Sequence, residues 1–172
     1  MLLKTERLTI HHVVADDWKS IRDIWVDCNS STYAQYDTPH ITEDANVKAR
    51  IAKWASFNNG TEHMFFAICL GEIVIGYIAF NIRDNGHEIG YCFHSAYHGK
   101  GYAKESMLAL FDYLRTLCIT KFSAGTGLKN TPSVKLLTSL GFKLVEQEMV
   151  SFYKDADGND IVFDGGIFEY GY

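Results

Sequence analysis

The stretch His98-Gly99-Lys100-Gly101-Tyr102-Ala103-Lys104-Glu105 decides how this chain folds, because it joins a predicted strand to a predicted helix. Unpaired backbone N–H groups and the positive end of a helix dipole converge at such a junction. Glycines at 99 and 101 allow an anion to approach the backbone closely, and Lys100 and Lys104 add positive charge. The stretch therefore predicts a site for a diphosphate group.

Two common phosphate-binding motifs do not fit this stretch. A P-loop requires Lys and Ser or Thr directly after its second glycine, but Tyr102 and Ala103 follow Gly101 here. The dinucleotide fingerprint requires a third glycine where Lys104 stands, and it opens a βαβ unit rather than following a meander. A flexible loop without a ligand is the structural alternative.

Working outward from this stretch, periodicity and turn residues predict the order β-α-α-β-β-β-α-β-α-β-β. The predicted strands cover 7–13, 63–70, 73–83, 87–94, 121–128, 142–154 and 161–170, and the predicted helices cover 15–28, 42–55, 102–117 and 131–139. Residues 84–86 are predicted to form a hairpin turn. The crossover helix after the stretch makes its flanking strands parallel. We expect an α+β (mixed α/β) fold with about four helices and a mostly antiparallel sheet of about seven strands.

Length and composition indicate one folded domain over residues 1–172. Apolar residues make up 47% and charged residues 22%, which is typical of globular proteins. No apolar run reaches the length of a membrane helix, and the first residues do not resemble a signal peptide, so a cytoplasmic protein without a membrane partner is expected.

Charge and cysteine spacing narrow the classes of function. The net charge of −5 argues against a nucleic-acid partner, which would require clustered Lys and Arg. The four cysteines lack C-x-x-C spacing, which favours reduced thiols. No metal site is expected, because the spacing of His87, Cys92, His94 and His98 does not bring four ligands together.

Three motifs in order carry a family resemblance: Glu88-Ile89-Gly90-Tyr91, then 98–105, then Asn130-Thr131-Pro132-Ser133 leading to Leu140-Gly141-Phe142. Together they resemble the GNAT superfamily of N-acetyltransferases over roughly residues 5 to 145. Glu6-Arg7-Leu8 and the N-x-x-S spacing are most similar to the branch of ribosomal-protein N-terminal acetyltransferases.

The resemblance implies that acetyl-coenzyme A is the co-substrate. The turn would bind the pyrophosphate, the strand before it would pair with pantetheine amides, and a bulge near Gly90 would splay the parallel strands. The implied cofactor-binding residues are Cys92, Phe93, His94, His98, Gly99, Lys100, Gly101, Tyr102, Ala103, Asn130 and Ser133. Helix capping is an equally good explanation of Asn130 and Ser133.

An amine must lose a proton before it attacks a thioester, and Glu88 is the candidate catalytic base. A solvated or ion-paired strand carboxylate is the alternative reading of Glu88. Tyr91, His94 and His98 are lower-ranked proton carriers. Family members often carry a tyrosine acid where this chain has Leu137, and Gln or Arg where it has Ala96, so the acid is unassigned and one pyrophosphate contact is missing.

The loop before the second helix is the expected acceptor site, on the sheet face opposite the cofactor. Tyr33, Tyr36 and Asp37 would bind a cationic amine, either a small molecule or a protein N-terminus. Two alternatives to an enzyme are a non-catalytic acyl-coenzyme A sensor and a nucleotide-binding module. The aromatic residues Phe168, Tyr170 and Tyr172 suggest a possible homodimer edge.

Overall fold

The computed structural model describes residues 2–57, 60–83 and 86–171. In these ranges eight strands form one sheet and four α-helices pack against it. The strands are β1 (Leu2–Lys4), β2 (Thr9–His12), β3 (His63–Leu70), β4 (Ile73–Arg83), β5 (Gly86–Phe93), β6 (Phe122–Gly127), β7 (Lys143–Lys154) and β8 (Asp160–Tyr170). The helices are α1 (Trp18–Asn29), α2 (Asp44–Ser56), α3 (Tyr102–Thr116) and α4 (Thr131–Ser139).

The mixed α/β class and the helices are confirmed, and the sheet has one strand more than expected. The additional strand is β1, which pairs only with β2 at one edge of the sheet. It is too short for an apolar pattern to reveal. Residues 84 and 85 of the predicted hairpin turn lie outside the described residues.

The sheet order is β1-β2-β3-β4-β5-β6-β8-β7, and the described neighbours are antiparallel except for β5 and β6. Those two parallel strands are joined by α3. They pair only at His87 with Phe122 and at Glu88 with Ser123. Beyond these first residues β5 and β6 diverge.

The two faces of the sheet carry separate cores. Helices α3 and α4 cover one face with side chains such as Met107, Leu110, Phe111, Leu114 and Leu137. Helices α1 and α2 cover the other face with Ile21, Ile24, Trp25, Ile51 and Trp54. Alternation along β5 therefore directs Ile89, Tyr91 and Phe93 to the α3 face, and Glu88, Gly90 and Cys92 to the α1 face.

The predicted bulge at Gly90 is wrong. The pairing of β5 with β4 runs from Gly86 to Phe93 without a shift in register. Close packing holds the end of β5 on β4: a Cβ atom at Gly76 would lie 2.3 Å from the Phe93 ring. The gap arises because β6 turns away from β5, while β5 stays regular.

The predicted exposure of Phe168 is wrong, while a homodimer stays a prediction. Phe168 is 3% exposed and lies in the core. The Tyr170 ring stacks on Phe111, with ring centroids 5.2 Å apart. Tyr172 lies outside the described residues. No helix in the described part of the chain is long and apolar enough to span a membrane.

Candidate active site

The gap between β5 and β6 exposes one edge of β5. The His87 amide donates to Lys121 O on the β6 side (3.1 Å), and the His94 amide donates to Ile75 O on the β4 side (3.0 Å). Because backbone groups alternate sides along a strand, those of Tyr91 and Phe93 face the gap. A ligand with amide groups can add to this edge as a strand would.

The turn after β5 has the conformation expected of an anion site. Gly99 and Gly101 adopt left-handed φ angles of 73° and 81°, which favour glycine. The first α-helical bond of α3 runs from the Glu105 amide to Gly101 O, at 3.0 Å. The amides of Tyr102 and Ala103 precede it, so they have no partner within the helix. The turn therefore presents donors at the positive end of α3.

Arg7 supports this turn, a role that the sequence analysis missed. Its Nη1 donates to Lys100 O (2.9 Å) and its Nε donates to Glu105 Oε2 (2.7 Å). The guanidinium also lies 4.6 Å from the centroid of the Tyr102 ring. Thr5 Oγ1 donates a further bond to Glu105 Oε1. The segment between β1 and β2 thus fixes the backbone of the turn from outside.

Three predicted cofactor residues have side chains that bond to the protein. His98 Nε2 bonds Phe93 O (2.7 Å), and Lys100 Nζ donates to Ala96 O (3.1 Å). His94 Nδ1 accepts from the Ala96 amide (3.3 Å). These contacts shape the turn, and ligand contacts by the three side chains stay predictions.

Helix α4 meets β5 across the gap through two hydroxyl groups. Asn130 caps α4, because its Oδ1 accepts from the Ser133 amide (3.4 Å). Ser133 Oγ lies 2.7 Å from the hydroxyl of Tyr91. Burial raises the pKa of Tyr91 to about 12, although the hydrogen bond to Ser133 opposes the shift. Leu137 is fully buried and offers no hydroxyl.

On the α1 face, two glycines leave open space on either side of the gap. A Cβ atom at Gly90 of β5 or at Gly125 of β6 would contact nothing within 4 Å. Glu88 borders this space where it pairs with Ser123. The carboxylate of Glu88 forms an ion pair with Arg83, and its side chain is 40% exposed.

The loop between α1 and α2 covers the far end of this open space. Tyr36 packs over Gly127, where a Cβ atom would lie 2.6 Å from the tyrosine ring. The Tyr153 hydroxyl donates to Ala34 O (3.0 Å). His40, at the other end of the loop, stacks on Trp25 with centroids 5.1 Å apart. The loop therefore spans from α1 to the β7–β8 hairpin.

The three predicted acceptor residues lie on this loop. The rings of Tyr33 and Tyr36 are 6.5 Å apart. The charge of Asp37 acts on Cys92 and Tyr153, since it contributes to the raised pKa of both groups after the larger effects. Asp37 Oδ2 also lies 4.0 Å from His40 Nε2. The described residues contain no cluster of His, Cys, Asp and Glu placed to hold a metal ion.

Comparisons with known proteins agree with this geometry. A family model described as an acetyltransferase (GNAT) domain matches residues 7–143. The chain belongs to the GNAT acetyltransferase family. The chain is also 32% identical over 162 residues to the N-acetyltransferase p20 of Bacillus licheniformis, which covers 91% of this chain and 89% of that protein.

Solved structures share the fold. An acetyltransferase from Salmonella typhimurium that modifies the N-terminal serine of ribosomal protein L7/L12 has a TM-score of 0.84 at 15% identity, covering 100% of this chain and 99% of that one. The RimL L7/L12 acetyltransferase in complex with coenzyme A has a TM-score of 0.82 at 16% identity, covering 99% and 98%. The predicted family and its N-acetyltransferase activity are confirmed.

Proposed function

We propose that this GNAT protein transfers the acetyl group of acetyl-coenzyme A to a primary amine by direct attack on the thioester. The observation that carries the proposal is the early divergence of β5 and β6, directly before the anion-binding turn. A long cofactor with a diphosphate and two amides fits a strand edge followed by a helix N-terminus. A RimL structure that shares the fold holds coenzyme A.

In this proposal the amides around Gly99 to Ala103 bind the pyrophosphate. Pantetheine lies along the backbone of Tyr91 and the amide of Phe93, whose carbonyl oxygen is bonded by His98, and the thioester reaches the gap beside Gly90. Absence of a side chain at Gly90 and Gly125 leaves room for the acetyl group and the amine on the α1 face. Gly125 is an addition to the residues predicted from sequence.

Glu88 is the proposed base, because it stands two residues before Gly90 on the same face of β5, where a side chain at Gly90 would meet open space. The carboxylate would receive the proton of the ammonium, directly or through one water, and the neutral amine would then attack the thioester carbonyl. Arg83 pairs with Glu88 and holds the carboxylate at the strand surface. A substrate cation entering the site would compete with Arg83 for the same oxygen atoms.

Ser133 and Tyr91 are the proposed source of the proton for the departing thiolate. Their hydroxyl groups meet across the gap at 2.7 Å, where the thioester sulfur would pass. Ser133 would donate to the sulfur and recover a proton from Tyr91, and the Tyr91 phenolate, a strong base because of its raised pKa, would take back a proton from water. The pair would do the work of the tyrosine acid that family members often carry at the position of Leu137.

The acceptor is proposed to enter under the loop that carries Tyr33, Tyr36 and Asp37. Exposed aromatic rings and a carboxylate attract an ammonium group. A protein N-terminus is the first acceptor class to test, since two solved structures of the same fold are of enzymes that acetylate a ribosomal protein. Polyamines, aminoglycosides and amino acids form the comparison set.

The test is acetyl transfer to peptides with a free N-terminus, measured by mass spectrometry against N-terminally blocked peptides and the small amines. The proposal expects turnover that Glu88→Gln lowers by about 100-fold or more and that Glu72→Gln, in the exposed turn between β3 and β4, leaves unchanged. If the protein binds acetyl-coenzyme A but acetylates none of these amines, the sensor reading replaces the enzyme reading.

A further inference from the structure

Two of the four cysteines meet between α1 and β5. Cys28 lies in the last turn of α1, and Cys92 is the penultimate residue of β5. Each thiol alters the pKa of the other, so the two side chains are neighbours, and both residues are half-buried. Asp27 Oδ2 and Oδ1 accept from the Ser95 amide and hydroxyl, each at 2.7 Å, so the end of α1 is fastened beside the end of β5.

The two thiols shift each other's pKa in opposite directions. The pKa of Cys28 is lowered, first by the bond from Cys92 and then by His40, although burial and Asp37 oppose this. The pKa of Cys92 is raised by its bond to Cys28, by burial and by the charges of Cys28, Asp37 and Asp27. The two groups titrate together, and Cys28 is the thiol of the pair that ionises first.

The imidazole of His40 is fixed next to this pair. Asn29 bonds both backbone groups of His40, with Nδ2 to His40 O at 2.8 Å and the His40 amide to Oδ1 at 3.0 Å. The ring stacks on Trp25. His40 Nε2 lies 4.0 Å from Asp37 Oδ2, and His40 adds to the lowering of the Cys28 pKa after the larger effect of Cys92.

The other two cysteines have different surroundings. Cys69 is 6% exposed and its sulfur lies 3.4 Å from His11 Nε2. Burial, together with the charge of Asp17, raises the pKa of Cys69 to about 11, so it stays a thiol. Cys118 is exposed after α3. These two residues are internal controls for any reaction at the pair.

We propose that Cys28 and Cys92 are a site of reversible oxidation, at which a hydroperoxide converts the pair into a disulfide between α1 and β5. The Cys28 thiolate attacks one peroxide oxygen and the O–O bond breaks. Protonation releases water, or an alcohol from an organic peroxide, and leaves a sulfenic acid on Cys28. The Cys92 sulfur then attacks the Cys28 sulfur and the S–O bond breaks, and hydroxide takes up the Cys92 proton as a second water. Two sulfurs are oxidised while one peroxide is reduced.

The disulfide would change access to the site. Cys92 lies two residues from Gly90 on the same face of β5, so a covalent link there narrows the open space next to the loop. We expect acetyl transfer to fall while binding at the Gly99 to Ala103 turn persists. This consequence rests on the proposed function, whereas the oxidation itself does not.

The experiment treats the full chain, as Cys118→Ser to prevent links between molecules, with a small excess of hydrogen peroxide. Peptide mapping should find a Cys28–Cys92 cross-link that dithiothreitol reverses, while Cys69 stays reduced. With Cys92→Ser, dimedone should label a sulfenic acid at Cys28. With Cys28→Ser, peroxide consumption should fall by about tenfold or more, because an ordinary thiol is only a few per cent ionised near pH 7.

Circular dichroism verifies that each variant is folded. Cys92→Ser and Cys28→Ser test the two steps of the oxidation separately. The proposal is overturned if Cys118 in the wild-type chain oxidises while Cys28 and Cys92 stay reduced. It is also overturned if Cys28 proceeds to sulfinic acid with no link to Cys92. Both readouts are masses, so they do not depend on whether an acetyl acceptor has been found.

Discussion

The hydroxyl groups of Tyr91 and Ser133 lie 2.7 Å apart and connect β5 to α4 across the gap between the parallel strands. Tyr91 belongs to the core on the α3 face, and Ser133 lies in the first turn of α4. The contact places a buried proton donor where the two strands have separated. In the proposed mechanism this pair supplies the acid, since Leu137 has no hydroxyl group.

Removing either hydroxyl should therefore slow the chemical step. Ser133→Ala and Tyr91→Phe are each expected to lower kcat by about 100-fold, the lower end of the range for general acid catalysis. Steady-state kinetics with a working amine should show little change in KM. Ser139→Ala is the control, since that hydroxyl bonds Leu136 O within the same helix. Full kcat in both variants would remove the pair from the mechanism.

Arg7 should contribute to cofactor affinity without contacting the reacting atoms. Its bonds to Lys100 O and Glu105 fix the turn, so Arg7→Ala should raise the Kd for acetyl-coenzyme A by about tenfold, or roughly 1.4 kcal/mol. Calorimetry measures this value. Arg115→Ala, which removes an ion pair with Asp112 at the other end of α3, should leave affinity unchanged. Equal effects of the two variants would contradict a local role for Arg7.

The same network predicts a dependence of stability on pH. Burial raises the pKa of Glu105, but bonds from Thr5 and Arg7 and the Arg7 charge outweigh burial and lower it. A pKa that is lower in the folded state than in the unfolded state stabilises the fold at pH values above the unfolded pKa of about 4.3. This stabilisation is lost as the pH falls through the folded pKa. Urea unfolding should show Glu105→Gln less stable by about 1 kcal/mol near pH 7. The difference should shrink at acid pH, and a constant difference would argue against titration of Glu105.

Two glycines in neighbouring strands should respond differently to alanine. Gly76→Ala forces the Phe93 ring away from β4, so the free energy of unfolding should fall by about 1–3 kcal/mol. Gly90→Ala meets open space and should fold with nearly unchanged stability. Thermal unfolding of both variants makes the comparison. Similar losses in the two would mean that strand propensity, rather than the Phe93 contact, determines the cost.

Local patterns predicted the elements that their own residues specify. The strands 63–70 and 73–83 and the helix 131–139 have the predicted bounds, because a short turn separates the strands and Asn130 caps the helix. The short strand β1 carried no such pattern. The predicted bulge failed because β5 keeps its register with β4 along its whole length, and the gap comes from the divergence of β5 and β6 after two paired residues.

The parts of the site that depend on distant contacts were not predictable. Arg7 was noticed only as part of a motif, and its contact with Lys100 joins segments that lie 93 residues apart in the chain. Cys28 carries no local signal because Cys92 lies on another element, and the open space beside Gly125 depends on the divergence of β5 and β6. Glu88 could be placed on the right face of β5, but its pairing with Arg83 required the structure.

Isothermal titration of the purified protein with acetyl-coenzyme A, with ATP and NAD as controls, tests the central claim most directly. The account predicts saturable binding of acetyl-coenzyme A with a Kd on the order of micromolar and much weaker binding of the two nucleotides. Binding of ATP or NAD in preference would support a nucleotide module. A folded protein that binds no acetyl-coenzyme A would contradict the assignment of the Gly99 to Ala103 turn and the β5–β6 gap.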